Sequence, residues 1–323
     1  MSNKKNFALI GASGYIAPRH MKAIKDTGNE LVAALDPYDG IGIMDSNFPE
    51  ASFFTEFERF DRFVDKWHRN GNKKIEYIAI TTPNYLHDSH IRFALKSGAH
   101  AICEKPLVLN PHNIDQLKII EEETGKKVYN ILQLRLHDSI IALKEKISKE
   151  LEKNPNRIYD LDLTYLTSRG KWYFVSWKGD EAKSGGIASN IGVHFFDMLS
   201  WIFGEIQENI VHIKEADTNA GYMKLKNANV RWFLSVNYDY IPEDIKETGK
   251  RTYRSIRVDG EEFEFSEGFT DLHTKSYNDI LNGGGFGLDD AKNSIVIVSD
   301  IRKMNTVPLD EKAHPFCEKV YSL

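Results

Sequence analysis

Cysteine is scarce in this chain: Cys103 and Cys317 are the only two among 323 residues. That excludes a disulfide framework and a cysteine-rich metal site, and it fits a reducing compartment. Positive charge is not in excess either, with 42 Lys and Arg against 47 Asp and Glu and a net charge of −5. A mildly acidic chain lacks the electrostatic footprint of a nucleic-acid or membrane-surface binder, so neither partner is expected. Long apolar runs are also missing. The longest, Ile187 to Phe203, is broken by Asn190, His194 and Asp197, well short of the roughly 20 apolar residues that span a bilayer. The run Phe7 to Ala17 follows Lys4-Lys5 as a leader might be expected to, but it holds two glycines, leads into Pro18-Arg19-His20 and has no small-x-small cleavage site. A signal peptide is therefore not expected, and a cytoplasmic location is.

What is present is the make-up of a globular protein, 41% apolar and 28% charged. At about 150 residues per domain, the length predicts two domains. Up to residue 128, short apolar runs alternate with helical stretches. The runs Asn6–Ile10, Glu30–Leu35, Tyr77–Thr82 and Ala99–Cys103 end at Gly, Asp-Pro or Pro and show no polar alternation. Between them, Phe57–Arg69 places Phe60, Phe63, Val64 and Trp67 on one helical face, and His87–Lys96 stops before Gly98. Asn110-Pro111 and Gly125 bracket a further helix. Continuous apolar strands joined by helices predict a doubly wound, Rossmann-type parallel sheet covered on both faces, over 1–128. From 129 to 323 the pattern changes. Tyr159–Tyr165 and Arg231–Tyr238 alternate as half-exposed antiparallel strands do, and Asp259-Gly260 between Arg254–Val258 and Glu262–Phe265 is a hairpin signal. An apolar helix, Gly192–Phe203, and a late one, Asp289–Met304, complete an α+β domain with an open, mainly antiparallel sheet.

The first strand runs into Gly11-Ala-Ser-Gly14-Tyr15-Ile16-Ala17 and a helix. Glycines there allow a tight turn and close backbone approach to a pyrophosphate resting on the helix N-terminus. The match to G-x-G-x-x-G/A is incomplete, because Ala12 stands at the first glycine position; an ordinary strand-to-helix turn is the simpler alternative. Asp36 closes the second strand, where a carboxylate accepts hydrogen bonds from ribose hydroxyls and repels a 2′-phosphate. NAD is therefore the expected cofactor, in preference to NADP.

Four further groups could do chemistry. Glu104-Lys105-Pro106 follows a buried strand at its carboxyl end, the edge where open α/β sheets bind ligands. A partly desolvated Lys105 near a nicotinamide cation would lose affinity for its proton and suit acid–base work; pairing with Glu104 is the structural alternative. Thr82-Pro-Asn84-Tyr-Leu-His87 closes a strand and opens a helix, with Asn84 a candidate cap and His87 able to cap or reach a ligand. The stretch Thr167 to Lys178 gathers Arg169, Trp172, Tyr173 and Lys178, suited to stacking on a base or sugar and to holding an anion. Asn190, His194 and Asp197 fall on one face of a single helix by their spacing; His194 there is a candidate proton acceptor or a hydrogen-bonded core histidine. With no H-x-x-x-H and no cysteine cluster, no metal is expected.

Together the glycine loop, Thr82-Pro-Asn-x-x-His87, Glu104-Lys105-Pro106 and Asn190-Ile-Gly-Val-His194 resemble the Gfo/Idh/MocA superfamily of NAD(P)-dependent oxidoreductases over nearly the whole chain. The stretches Gly11–His20, Tyr129–Arg135, Ser168–Tyr173, Ser176–Asp180 and Phe265–His273 are similar to its WlbA/WbpB group. That resemblance implies oxidation of UDP-N-acetylglucosaminuronic acid at C3 to the 3-keto sugar nucleotide, towards diacetamido-uronic acid of surface polysaccharide such as lipopolysaccharide O-antigen. It implies Lys105 and His194 as the catalytic residues flanking the C3 hydroxyl, with His194 favoured as base. Cofactor contacts are implied for Gly11, Gly14, Tyr15, Ile16, Asp36, Thr82, Asn84, His87, Glu104, Lys105, Gln133 and Trp172. Substrate contacts are implied for Lys105, Arg169, Trp172, Tyr173, Lys178, Asn190 and His194. Many superfamily members carry Asp at the Asn190 position, so a charge is missing beside His194. The resemblance also implies reoxidation of bound NADH by 2-oxoglutarate and a homo-oligomer, dimer or tetramer. A dehydrogenase of free sugars or polyols, an NAD-dependent glycosidase and a silent sugar-binding regulator are the alternatives on this fold; the presence of both Lys105 and His194 argues against the last.

Overall fold

The structure, a computed structural model, describes residues 4–69, 74–263 and 271–322. The chain divides into two compact units, Met1–Leu136 with Thr270–Lys292, and His137–Phe269 with Asn293–Leu323. This partition differs from a single boundary at 128/129. Two packing facts account for it: residues 128–130 pair into the first sheet, and a late helix returns to the first core.

The first unit is built on six parallel strands: β1 (Asn6–Ile10), β2 (Glu30–Leu35), β3 (Ser52–Phe54), β4 (Tyr77–Ile80), β5 (His100–Cys103) and β6 (Val128–Asn130). Their order is β3-β2-β1-β4-β5-β6, the doubly wound arrangement expected from the alternating runs. The chain direction of the winding reverses between β1 and β4, and in such sheets ligands gather at the carboxyl ends there. Phe7, Ala8 and Leu9 in β1 and Ile78, Ala79 and Ile80 in β4 have no exposed surface, which is why these strands show no polar alternation. Helices α1 (Ala17–Asp26), α2 (Ile41–Asn47), α3 (Phe57–Arg69), α4 (His87–Lys96) and α5 (Pro111–Thr124) connect the strands. In α3 the apolar stripe buries Phe60 and Val64. Asn110 sits at the N-cap of α5 with Pro111 beside it, and Gly125 ends the helix at φ 65°. The expected cap of α4 by Asn84 does not form: Asn84 opens a short 3-10 turn to Leu86, and Leu86 occupies the α4 N-cap position without a side-chain bond. The helix Leu272–Leu281 sets Tyr277 and Ile280 into the same core as Phe7, Met21 and Ile24.

The second unit carries β7 (Tyr159–Thr167), β8 (Ile206–Lys214), β9 (Thr218–Leu225), β10 (Ala228–Ser235), β11 (Thr252–Val258) and β12 (Glu261–Glu262), in the order β12-β11-β7-β10-β9-β8. Among the described residues of this sheet, only the β7–β10 pair is parallel. Leu161 and Leu163 of β7 are buried while Asp162 between them takes a two-pronged bond from Arg231 of β10, at 2.6 and 2.7 Å. That is the alternation the sequence displays. Asp259 and Gly260 turn between β11 and β12 at φ 51° and 84°, the paired positive values of a tight hairpin. The far end of this expected hairpin, including Phe265, lies outside the described residues. The apolar helix Val193–Phe203 packs Phe196 edge-on against the buried Trp232, ring centres 5.4 Å apart. It is preceded by a π turn, Ala188–Gly192, rather than by continuous α-helix from Gly192.

Candidate active site

In the first unit the chemistry starts where β1 ends. Gly11 has φ 95°, and a Cβ there would lie 2.8 Å from the backbone carbon of Thr81, so only glycine fits. Its N–H donates to Leu35 O at 2.8 Å, and the Thr81 hydroxyl donates to Ile10 O and Gly11 O at 3.0 and 2.9 Å. Gly14 is less confined, with Gly11 O 3.2 Å from an added Cβ, a tight contact. Thus the irregular glycine spacing still yields a closed turn, with Gly11 taking the role that Ala12 cannot. Ile16 then stands at the N-cap of α1, and Tyr15 is 85% exposed, its ring free to stack on a ligand.

Asp36 does more than end a strand. One carboxylate oxygen accepts from Ser13 N at 3.0 Å and the other from Tyr38 N at 2.9 Å, so the side chain ties the glycine loop to the turn after β2. It is 6% exposed, and each oxygen keeps a further lone pair for a ribose hydroxyl.

His87 has both ring nitrogens against backbone carbonyls, Pro106 O at 2.7 Å and Thr82 O at 2.9 Å. Burial pushes its imidazole below the ordinary histidine range despite those acceptors. The ring therefore sits between the Thr82 turn and the Glu104-Lys105-Pro106 turn, a neutral imidazole donating its single N–H to one of the two carbonyls at a time, and neither nitrogen is turned to a ligand. Thr82 itself is half-buried, its hydroxyl 3.1 Å from His90 Nδ1, and Asn84 is buried beside it.

Glu104 is 5% exposed and accepts three hydrogen bonds. His20 Nε2 lies 3.0 Å and His273 Nε2 2.9 Å from the same oxygen, Oε1, while Oε2 accepts from Lys105 N at 3.2 Å. Burial by itself would raise this carboxyl; the two histidine hydrogen bonds outweigh it and hold the group well below the usual carboxylate range. Lys105 is half-buried. The histidines and a backbone N–H occupy the Glu104 carboxylate. Gln133 opens a 3-10 turn after β6, and its Oε1 is buried without a hydrogen-bond partner, an acceptor that a ligand amide could use. A loop that only glycine fits, a carboxylate with spare acceptor capacity and this unspent amide oxygen suit a dinucleotide.

In the second unit, Arg169 and Trp172 are exposed, Trp172 by 79%, while Tyr173 is buried. The Asn190 amide donates to the Tyr173 hydroxyl at 2.9 Å. Lys178 is half-buried, and burial together with the Arg169 cation pushes its ammonium below the usual lysine range. Such a pair of cations suits an anionic ligand. Gly179 is obligatory here, because a Cβ would stand 2.4 Å from Phe174 O. Asn190 lies in the π turn and His194 in the first turn of the following helix, both half-buried, whereas Asp197 is 2% exposed. Sequence reasoning singled out neither Thr81 nor the roles of His20, His273 and Tyr277; His20 and His273 lie inside stretches that carry the resemblance, Thr81 lies only in an apolar run, and Tyr277 carried no signal.

Residues 5–131 match the family model described as "Oxidoreductase family, NAD-binding Rossmann fold", and residues 157–244 match its "C-terminal alpha/beta domain". The chain belongs to the Gfo/Idh/MocA oxidoreductase family. Its first unit is the NAD-binding Rossmann domain of that family. Two crystal structures of the WlbA (WbpB) dehydrogenase from Thermus thermophilus, one with NAD and alpha-ketoglutarate and one with NAD and UDP-GlcNAcA, are 52% and 51% identical to this family member. Each has a TM-score of 0.92 and covers 97% of this chain and 99% of its own. Among curated relatives, scyllo-inositol 2-dehydrogenase (NADP(+)) IolW of Bacillus subtilis (strain 168) is 24% identical over 208 residues, 60% of this chain and 54% of that protein. Glucose-6-phosphate 3-dehydrogenase of the same organism is 25% identical over 211 residues, 62% and 54% respectively. The chain thus spans about half the length of the curated relatives it matches.

Proposed function

We propose that this oxidoreductase uses NAD to oxidise the C3 hydroxyl of UDP-N-acetyl-D-glucosaminuronic acid, giving the 3-keto sugar nucleotide for diacetamido-uronic acid of surface polysaccharide, the lipopolysaccharide O-antigen included. The observation that carries this reading is the 51% identity, across 97% of the chain, to a dehydrogenase crystallised with NAD and UDP-GlcNAcA. NAD, when bound, supplies the hydride acceptor. Among the chain's own residues, the turn at Gly11 and Gly14 with Tyr15 and Ile16 receives the pyrophosphate side, Asp36 the ribose, and Thr82, Asn84, Glu104, Lys105, Gln133 and Trp172 the remainder. His87 contributes through the two turns it joins. His194 takes the hydroxyl proton and Lys105 orients the hydroxyl. Arg169, Trp172, Tyr173, Lys178 and Asn190 hold the sugar nucleotide, the two cations meeting its negative charge. The complex of the Thermus thermophilus protein with alpha-ketoglutarate supports 2-oxoglutarate as the oxidant that restores NAD in place. No helix of the described residues is long and apolar enough to cross a membrane, and a cytoplasmic homo-oligomer, dimer or tetramer, completes the proposal.

The test is NADH absorbance with UDP-N-acetylglucosaminuronic acid, with and without 2-oxoglutarate. Reduction with this substrate and none with UDP-N-acetylglucosamine is the expected result. Reduction by scyllo-inositol or glucose 6-phosphate instead would favour the free-sugar reading that the curated relatives suggest, and release of a free sugar would favour the glycosidase.

A further inference from the structure

Within the first unit, two imidazoles far apart in sequence converge on one buried carboxylate. His20 and Glu104 are 84 residues apart and Glu104 and His273 are 169 apart, yet both imidazoles meet Glu104 Oε1 at 3.0 and 2.9 Å. The Tyr277 hydroxyl lies 2.7 Å from the other nitrogen of His20. His20 has no exposed surface, Tyr277 none, and Glu104 and His273 5% each. Among the described residues, His20, Glu104 and His273 form the group whose ligand-type atoms lie within 4.8 Å of one another.

The proton positions follow from the chemistry. Glu104 is held in its anionic form, so both Nε2 atoms must donate. Burial pushes the His20 imidazole below its ordinary range, so the ring is neutral and its Nδ1 carries the lone pair. The Tyr277 hydroxyl, pushed well up by burial, keeps its proton and donates to that Nδ1. Each hydrogen-bonding atom in the chain Tyr277–His20–Glu104 is thereby matched donor to acceptor, and the remaining carboxylate oxygen accepts from Lys105 N at 3.2 Å.

We infer that His20, His273 and Tyr277 are positioning residues for Lys105, acting through the Glu104 carboxylate. The network joins three elements: the helix that follows the glycine loop, the turn that bears Lys105, and the helix Leu272–Leu281. A carboxylate whose Oε1 accepts from two imidazole N–H groups cannot rotate away from the Lys105 amide without stranding a buried charge. The backbone from which Lys105 springs is thus set by side chains that need not touch substrate. This inference rests on the reading of Lys105 as a residue of the dehydrogenase site.

The test compares the full-length wild-type protein with His273→Leu, His273→Gln and Tyr277→Phe. NAD affinity and thermal melting establish that each variant is folded. Turnover of UDP-N-acetylglucosaminuronic acid with 2-oxoglutarate gives kcat and KM, and acetylation of the Lys105 amine, followed by peptide mass spectrometry, reads that side chain without any substrate. Leu removes the donor and should lower kcat by about 10- to 100-fold, with KM and NAD affinity changed by less than about 3-fold, as a displacement of a reacting group by about 1 Å does. It should also change the Lys105 acetylation rate at least about 3-fold. Gln returns an N–H near the Nε2 position and should restore both readouts to within about 3-fold of wild type. A folded His273→Leu variant with wild-type kcat and wild-type Lys105 acetylation overturns the inference. If His273→Leu fails to fold, Tyr277→Phe decides by the same two readouts, with a loss of about 3- to 10-fold in kcat expected. If the wild type does not turn over this substrate, the functional reading fails and Lys105 acetylation alone decides the positioning. A stoichiometric divalent metal in the purified protein, lost in His273→Leu, overturns it in favour of a metal centre.

Discussion

The Asn190 amide donates a 2.9 Å hydrogen bond to the Tyr173 hydroxyl, joining the π turn before His194 to the aromatic stretch that runs to Lys178. Tyr173 is buried, and Tyr173→Phe removes the hydroxyl that accepts this bond. We expect KM for the sugar nucleotide to rise about 3- to 10-fold, with kcat less affected, in keeping with one lost hydrogen bond of about 1 kcal/mol. Steady-state kinetics on the variant check this; an unchanged KM would separate the pair from substrate binding.

Asp36→Ser is expected to erode the preference for NAD over NADP by at least about tenfold, because it removes the carboxylate that repels a 2′-phosphate. Stability should fall as well, by about 1–3 kcal/mol, since Ser13 N and Tyr38 N both lose a charged acceptor. The ratio of kcat/KM for the two cofactors and a denaturant melt measure the two effects separately.

Gly11→Ala forces a side chain into φ 95° and against Thr81, whereas Gly14→Ala meets only a tight contact at 3.2 Å. The first variant should lose about 1–3 kcal/mol of stability together with NAD binding; the second should lose less of both. Calorimetric titration with NAD, beside thermal melts, ranks them. Equal losses would mean that the backbone conformation at Gly11 is not the deciding feature.

Acid should destabilise the fold earlier than its carboxylates alone require. Burial pushes His90 and His314 down to about 4. Both values lie below the ordinary 6.5, so the unfolded chain takes up protons first, and stability is complete above about pH 6.5 and declines as pH falls towards 4. Each histidine contributes a loss on the order of 3 kcal/mol by the bottom of that window. Glu104, held low, begins to withdraw its contribution below about pH 4.5, the unfolded value, and goes on losing it as pH falls further. Urea unfolding at pH 7.5 and 5.0 should show the decline, and His90→Gln with His314→Gln should flatten it.

Replacing His194 by Asn or Lys105 by Met should slow single-turnover hydride transfer by about 10²- to 10⁴-fold, the range ascribed to positioned acid–base groups. Full rate in both variants would place the chemistry elsewhere.

Much of this protein is written in local sequence. The parallel sheet is legible because strands covered on both faces must be apolar at every position, as Phe7–Leu9 and Ile78–Ile80 are. Asp259-Gly260 announces its hairpin through the positive φ values it tolerates, and Asn110-Pro111 and Gly125 mark the ends of α5 through backbone preferences of single residues. The short strands β3 and β6, at three residues each, carry too little pattern to be seen. Sequence spacing also misassigns Asn84 as a cap and spaces Asn190 on an α-helix, because a 3-10 turn and a π turn have periods that neighbouring residues do not declare. Other features could only be decided by the fold. The return of Thr270–Lys292 to the first unit, the seating of His87 between two carbonyls and the meeting of His20, Glu104 and His273 each depend on groups brought together from distant parts of the chain. Periodicity and propensity report what lies within a turn of helix or a pair of strand residues. Burial and hydrogen-bond pairing are settled only once the sheet has closed over its core, and a buried carboxylate finds its donors there or not at all.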